Sequence, residues 1–420
     1  MSVSTLIMAG GEGRGLSILC EQRAKPAVPF AGQYRIIDFA LSNAVNSELN
    51  RIAVLVQYQP HSLMEHLGTG EPWNVNYRRA SGIRIWPAYR GRNDQGWYRG
   101  TADALYQNRS FISDDADDAL LILCGDHIYK QDYRDLLRFH REKRADLTIA
   151  VTQVSPDDTH RFGMMRLDAD QRVRDFAEKP KESQSTLASM GIYVFNPKFL
   201  LRRLEEDAKD TSSSHEIGKN MIPTLIERDR VFGYRFDGYW ADMGTIAAYW
   251  ESNLSLLANK PALDLYDSSW MIHTRADQRP PSKCLQPSQI ADSMISQGCV
   301  VHGTVINSIL SPGVQVAEGA IVRDSIIMHD TIIRAGAQIH RSILDKQVVI
   351  GAEAQVGAGD DNAPNEREPV NLHAGITVVG QRAQVPAGAI VGRNCLIDPH
   401  VTPAEFHQLE VSSGATVSKR

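Results

Sequence analysis

The chain of 420 residues lacks several things that would have narrowed its role at once. It has no run of roughly 18 apolar residues, so the sequence offers nothing to span a bilayer as a helix. No basic stretch precedes the first apolar run, and Glu12 arrives too early for a secretory signal. The five cysteines, Cys20, Cys124, Cys284, Cys299 and Cys395, are odd in number, scattered and without CxxC spacing. That pattern argues against a disulfide framework or a zinc site and predicts reduced thiols in a cytoplasmic protein. Basic excess is absent too: 45 Lys and Arg against 50 Asp and Glu leave a net charge of −5, which favours neither nucleic acid nor a membrane surface. Any substrate phosphate must therefore be met by local basic groups.

Such groups are present near the start. The run Leu6-Ile7-Met8-Ala9 reads as a buried strand, and Gly10, Gly11, Gly13 and Gly15 follow within six residues. Glycines let backbone N–H groups close on an anion, forming a phosphate cradle. Lys25, in Arg23-Ala24-Lys25-Pro26, adds a mobile point charge for the same phosphates. Leu16-Ser17 after Gly15 exclude a Walker loop, and Leu16 stands where the dinucleotide fingerprint needs glycine.

Up to residue 260 strand-like runs alternate with amphipathic segments. Residues 51–57, 119–124, 146–151 and 191–195 read as buried strands; 133–144 and 196–207 read as helices. This predicts an α/β domain over 1–260 with a mostly parallel, Rossmann-like sheet. The charged run 138–144 reads as a solvated helix face. Residues 261–290, with Pro261, Pro280, Pro281 and Pro287, read as a linker. Over 291–420 the sequence repeats. Ser308, Ser325 and Ser342 are equally spaced, and Val316 with Val322, Ile333 with Ile339, and Ile350 with Val356 recur at six-residue steps. That is the signature of a hexapeptide β-helix.

Ligands of open parallel sheets bind beyond the carboxyl ends of the strands, which places Asp126, after strand 119–124, in the cleft. A carboxylate there can hold Mg²⁺ bridging nucleotide and sugar phosphates, with Asp242 as the second ligand. Thr101 is expected as a helix N-cap whose free N–H groups face a polar ligand. Glu178-Lys179 pairs an acceptor for hydroxyls with a cation for a sugar phosphate. Arg161-Phe162-Gly163 and Ser189-Met190-Gly191 are weaker signals.

RAKPAVPF (23–30), YRIIDFALSNAVNS (34–47), WYRGTADALYQN (97–108), CGDHIYKQDY (124–133), AEKP (177–180), LASMGIYVF (187–195) and YWADMGT (239–245) resemble the bacterial ADP-glucose pyrophosphorylases, that is, glucose-1-phosphate adenylyltransferases, over essentially the whole chain. The resemblance implies a left-handed β-helix and Mg²⁺-dependent transfer of AMP from ATP to glucose 1-phosphate, giving ADP-glucose and pyrophosphate for glycogen synthesis. It also implies a homotetramer regulated by phosphorylated metabolites. By position, Tyr98, Gly163, Glu178, Lys179 and Ser189 become glucose 1-phosphate contacts. Gly10, Gly11, Gly13 and Lys25 become the ATP loop, and Asp126 and Asp242 the magnesium ligands. No protein nucleophile is needed, because the sugar phosphate attacks the α-phosphorus in line.

Three positions depart from the family pattern: Gly15 and Ala241 stand where arginines are usual, and Gln22 where some members carry a lysine. Arg14 is then expected to supply the missing guanidinium, with Gly15 freeing φ for the turn. On that reading Gly15→Arg combined with Arg14→Thr keeps or raises kcat, while Arg14→Ala lowers it sharply. The same departures fit a catalytically weak regulatory subunit, and the nucleobase rests on resemblance alone. An acetyl-CoA-dependent acyltransferase, the remaining option for a β-helix, would need His329 or His340 as its base.

Overall fold

The structure, a computed structural model, describes residues 2–73, 82–88, 97–112 and 117–419. They form two compact units. The first comprises residues up to 11, 37–240 and 268–273; the second comprises 12–36, 241–267 and 274–420. The second unit thus draws the phosphate-loop segment and residues 241–267 to the β-helix. Arg23 shows why: only 3% exposed, it donates from both guanidinium ends to the Asp345 carboxylate at 2.8 Å.

The first unit is built on a nine-stranded mixed sheet. Val3–Met8 lies between Arg51–Val56 and Ala119–Cys124, parallel to both, and Arg51–Val56 pairs in parallel with Gly82–Pro87. The first three are buried on both faces, as strands covered on both sides must be, while Gly82–Pro87 exposes Arg84. Beyond Ala119–Cys124 the sheet turns antiparallel. Leu187–Phe195 pairs with Ala119–Cys124 and Leu147–Gln153, and Gly163–Leu167 pairs with Val173–Glu178. The two expected helices run Tyr133–Glu142 and Pro197–Lys209. Asp132 caps the first by accepting from the Arg134 N–H, and Asn196 caps the second by accepting from the Phe199 N–H. Leu136, Leu137 and His140 face inward while Arg138 and Arg141 stay in solvent, so the charged run is a solvated helix face.

In the second unit three parallel sheets of six, seven and seven strands make a hexapeptide-repeat β-helix, beginning at Lys283 within the stretch read as a linker. Val305, Val322, Ile339 and Val356 stack in its core. The equally spaced serines form a buried ladder: the N–H of Ser325 donates to Ser308 Oγ, and that of Ser342 to Ser325 Oγ, each at 3.1 Å. Ser is small enough for the corner and supplies an acceptor where the backbone turns. No described helix is long and apolar enough to cross a membrane.

Candidate active site

In the first unit, glycine brings two strand ends together. The Gly125 N–H donates to the Met8 carbonyl at 2.9 Å, and a Cβ there would meet Ile7 and that carbonyl at 3.1 Å. This close approach sets Asp126 just beyond the carboxyl ends of the parallel strands, as expected for a ligand-facing carboxylate. Its side chain is 30% exposed, and His127 Nε2 lies 3.6 Å from Oδ1. Cys124, Asp126 and His127 bring a sulfur, an oxygen and a nitrogen within 4.8 Å. The Trp240 indole Nε1–H donates to His127 Nδ1 at 3.4 Å, with the rings edge to face at 5.2 Å. Nδ1 is then the acceptor and the imidazole proton sits on Nε2, facing Asp126. At 3.6 Å from Asp126 Oδ1, His127 Nε2 is a close neighbour of the carboxylate, beyond hydrogen-bond distance. Of the three, the Asp126 carboxylate offers oxygen, the donor type that suits Mg²⁺.

The antiparallel part of this unit gathers several of the expected sugar-phosphate residues. Glu178 pairs with Gly163 across neighbouring strands. A Cβ at Gly163 would lie 2.9 Å from Glu178 Oε2, and one at Gly218 would lie 2.4 Å from it. Two glycines thus leave room for this carboxyl to lie against backbone. Desolvation raises its pKa; Lys179 acts in the opposite direction and Glu216 reinforces the rise. Lys179 holds a left-handed φ of 47°, and its N–H donates to the Phe162 carbonyl at 3.0 Å. Ser189 is buried, its Oγ accepting from the Gly191 N–H at 3.2 Å, and Ala188 beside it pairs with Met164 next to Gly163. Tyr98 is fixed by Gln57, whose Oε1 accepts from its N–H at 2.7 Å, and by Asn108, which donates to the phenol oxygen at 3.0 Å.

One expectation about this region is overturned. Thr101 is not the cap of its helix, which spans Thr101–Gln107 with Gly100 in the N-cap position. Its first N–H groups are not left for a ligand either. The N–H and hydroxyl of Thr101 donate to Glu216 Oε2 at 3.2 and 2.7 Å, and the Ala102 N–H donates to the His215 carbonyl at 2.8 Å. A Cβ at Gly100 would lie 2.3 Å from that carbonyl, so glycine permits the approach. The orphan donors of a helix start must be satisfied, and segment 215–217 does so from within the fold. Glu216, Gly218, His127 and Trp240 are residues that sequence reading missed. Only the adjacency of His127 to Asp126 offered a signal.

The second unit carries the rest of the glycine-rich loop. Gly13 adopts φ 70°, with its Cβ position 2.6 Å from Cys20 Sγ, and the Leu16 N–H closes a turn on the Gly13 carbonyl at 3.0 Å. The left-handed turn therefore falls at Gly13. Gly15 is needed for another reason: a Cβ there would sit 1.8 Å from the Gly244 carbonyl oxygen. A side chain at position 15 would force backbone of this loop or of Gly244 to move, which stands against the expectation that Gly15→Arg with Arg14→Thr keeps or raises turnover. The Arg14 side chain is 83% exposed and paired with Glu12. Lys25 Nζ lies 3.4 Å from Asp242 Oδ1, both side chains mostly buried, so the expected phosphate cation and the expected metal ligand are neighbours. Asp126, Gly10 and Gly11 belong to the first unit; Gly13, Arg14, Lys25 and Asp242 belong to the second.

An α/β sheet with a glycine-rich turn after its first strand, followed in the chain by a hexapeptide β-helix, is the architecture of a nucleotidyltransferase. The profile of the nucleotidyl transferase family matches residues 4–259, and that of the GlmU-like C-terminal hexapeptide family matches residues 280–379. The glucose-1-phosphate adenylyltransferase of Thermomicrobium roseum is 52% identical over 417 residues, covering 99% of this chain and 97% of that protein. The enzymes of the same name from Acetivibrio thermocellus and Thermotoga neapolitana are 41% and 42% identical, covering 99% and 100% of this chain and 98% and 99% of their own lengths. The chain belongs to the glucose-1-phosphate adenylyltransferase family of nucleotidyltransferases.

Proposed function

We propose that this nucleotidyltransferase moves the adenylyl group of ATP to glucose 1-phosphate, forming ADP-glucose and pyrophosphate for glycogen synthesis. The observation that carries the substrate assignment is Glu178, seated against Gly163 and Gly218 with Lys179 next in the chain. It offers an acceptor for sugar hydroxyls and a cation for the attached phosphate. A phosphate oxygen of glucose 1-phosphate attacks the α-phosphorus of ATP, the bond to the bridging oxygen breaks, and pyrophosphate leaves. The loop from Gly10 to Gly15 positions the nucleotide phosphates, and Lys25 neutralises charge as it shifts to the leaving group. Asp126 and Asp242 are the residues that would hold Mg²⁺, which when bound supplies charge neutralisation at the phosphates.

Regulation by phosphorylated metabolites is supported by a basic cluster in the second unit. Burial pushes the Lys346 ammonium down to about 7, with the charges of Arg35 and Arg23 adding to the shift. Burial and the same neighbours push His329 down to about 2, and its Nδ1 is buried without a hydrogen-bond partner. An entering phosphate would relieve this cationic repulsion. It would also draw a proton onto Lys346, so effector binding above neutral pH takes up protons. The open ends of the solenoid need cover, which is the ground for proposing a homotetramer.

The test is pyrophosphate release by purified protein with a panel of nucleoside triphosphates and glucose 1-phosphate, with and without magnesium chelation. ATP-dependent release lost on chelation is expected. Release with another nucleotide refutes the adenylyl assignment. No release from any mixture favours the regulatory-subunit reading, which the backbone-packed Gly15 keeps in play.

A further inference from the structure

The β-helix is interrupted between the strands Gln355–Val356 and Thr377–Val379. The intervening excursion is tightly anchored. Asn365 is fully buried, and its Nδ2 donates to the carbonyls of Asn394 at 3.0 Å and Gly414 at 3.1 Å. Its Oδ1 accepts from the N–H groups of Arg367 at 3.0 Å and Glu368 at 2.9 Å. Arg367 then holds the Asp398 carboxylate with both guanidinium ends. A side chain that satisfies backbone donors two and three residues ahead fixes the turn, and with it the direction of Glu368.

Glu368 meets the phosphate loop. Ser17 Oγ donates to Glu368 Oε1 at 2.7 Å. Asn371 Nδ2 donates to the other carboxylate oxygen at 3.2 Å and reaches the Arg14 carbonyl at 3.5 Å. The contact falls where the loop most needs holding: Ser17 has φ 52° and ψ −136°. A residue with a Cβ keeps such a conformation only where its surroundings impose it. Packing does not impose it on the outer side, where a cavity of about 530 Å³ is lined by Gly13, Arg14, Ser17, Arg367 and Glu368. The restraint is the hydrogen bond, strengthened because its acceptor is charged.

We propose that Glu368 is a positioning residue for the nucleotide: acting through Ser17, it holds the phosphate loop in the shape that receives the triphosphate. Glu368 touches the loop rather than the substrate, so the β-helix sets nucleotide affinity through one side chain. This rests on the reading of the loop as the ATP site.

Steady-state kinetics on Glu368→Ala, Glu368→Gln, Ser17→Ala and the double alanine variant test it. Glu368→Ala and Ser17→Ala each raise KM for ATP about tenfold, the effect of one charge-assisted hydrogen bond, with KM for glucose 1-phosphate within about twofold. The double variant is no worse than either single one, and Glu368→Gln, which keeps an acceptor for Ser17, recovers most of the loss. An unchanged ATP KM, an equal rise for both substrates, or additive losses overturn the proposal. Amide hydrogen exchange over residues 13–17 of the substrate-free protein reads the same contact without activity. Faster exchange in Glu368→Ala and wild-type exchange in Glu368→Gln are expected; unchanged exchange in Glu368→Ala refutes the clamp. A wild type inert toward ATP refutes the functional reading, and the exchange experiment still decides whether Glu368 holds the loop. If Glu368→Ala fails to fold, Ser17→Ala carries both measurements.

Discussion

Moving the loop arginine by one position, Gly15→Arg with Arg14→Thr, tests how tightly the phosphate loop is packed. A Cβ at position 15 would lie 1.8 Å from the Gly244 carbonyl oxygen, against roughly 3.5 Å for a relaxed non-bonded contact. Backbone on either side must therefore retreat by more than about 1 Å. Gly244 follows Asp242 by two residues, and Asp242 is the partner of Lys25, so the displacement reaches the site's charged pair. Overpacking of this kind costs about 1–3 kcal/mol in stability, and a 1 Å displacement of positioned groups costs on the order of a hundredfold in rate. Gly15→Ala alone should thus lower kcat/KM for ATP by about a hundredfold, and the arginine exchange by at least as much. Arg14→Ala separates this from loss of the guanidinium: if Arg14 steadies pyrophosphate, kcat falls sharply with Gly15 untouched. The assay is continuous pyrophosphate release with ATP varied, alongside a thermal unfolding scan. A Gly15→Ala enzyme with wild-type kcat/KM would show that the Gly244 contact does not constrain the loop.

Three further outcomes are expected. Asp126→Asn should lower turnover by a hundredfold or more while leaving the thermal midpoint near wild type, and a variant retaining most of its activity would remove Asp126 from the metal site. Lys179→Ala should raise KM for glucose 1-phosphate with kcat little changed, because its phosphate partner is present in ground and transition states alike; a rise in KM for ATP instead would move Lys179 to the nucleotide side. Lys346, depressed to about 7 in the folded protein against an ordinary 10.5, binds fewer protons when folded than when unfolded between those values. Its penalty on stability, full below about 7, is therefore relieved as pH rises from about 7 to about 10.5 and returns as pH falls back across that range. Chemical denaturation of wild type and Lys346→Met across this range should diverge accordingly, and parallel curves would place the lysine in solvent.

What was legible along the chain is what local pattern records. Six-residue spacing and equally spaced serines encode the β-helix because each coil repeats one backbone geometry, and the serine ladder is the direct consequence. The apolar run before Gly10 and the strand before Asp126 announce a cleft-facing loop and carboxylate, since strand ends in an α/β sheet are where ligands go. Alternating runs and helices do not record strand direction, so the antiparallel part carrying Gly163, Glu178 and Ser189 could not be read from them. The remaining features depend on segments far apart in the chain meeting at atomic distance. Glu216 takes up the helix start at Thr101, Trp240 assigns the proton of His127, Gly244 crowds position 15, and Glu368 meets Ser17. Such meetings have no local signature, because a glycine, an indole or a carboxylate looks the same in sequence whatever packs against it. Only the tertiary fold decides which polar groups are already satisfied and which are left for a ligand.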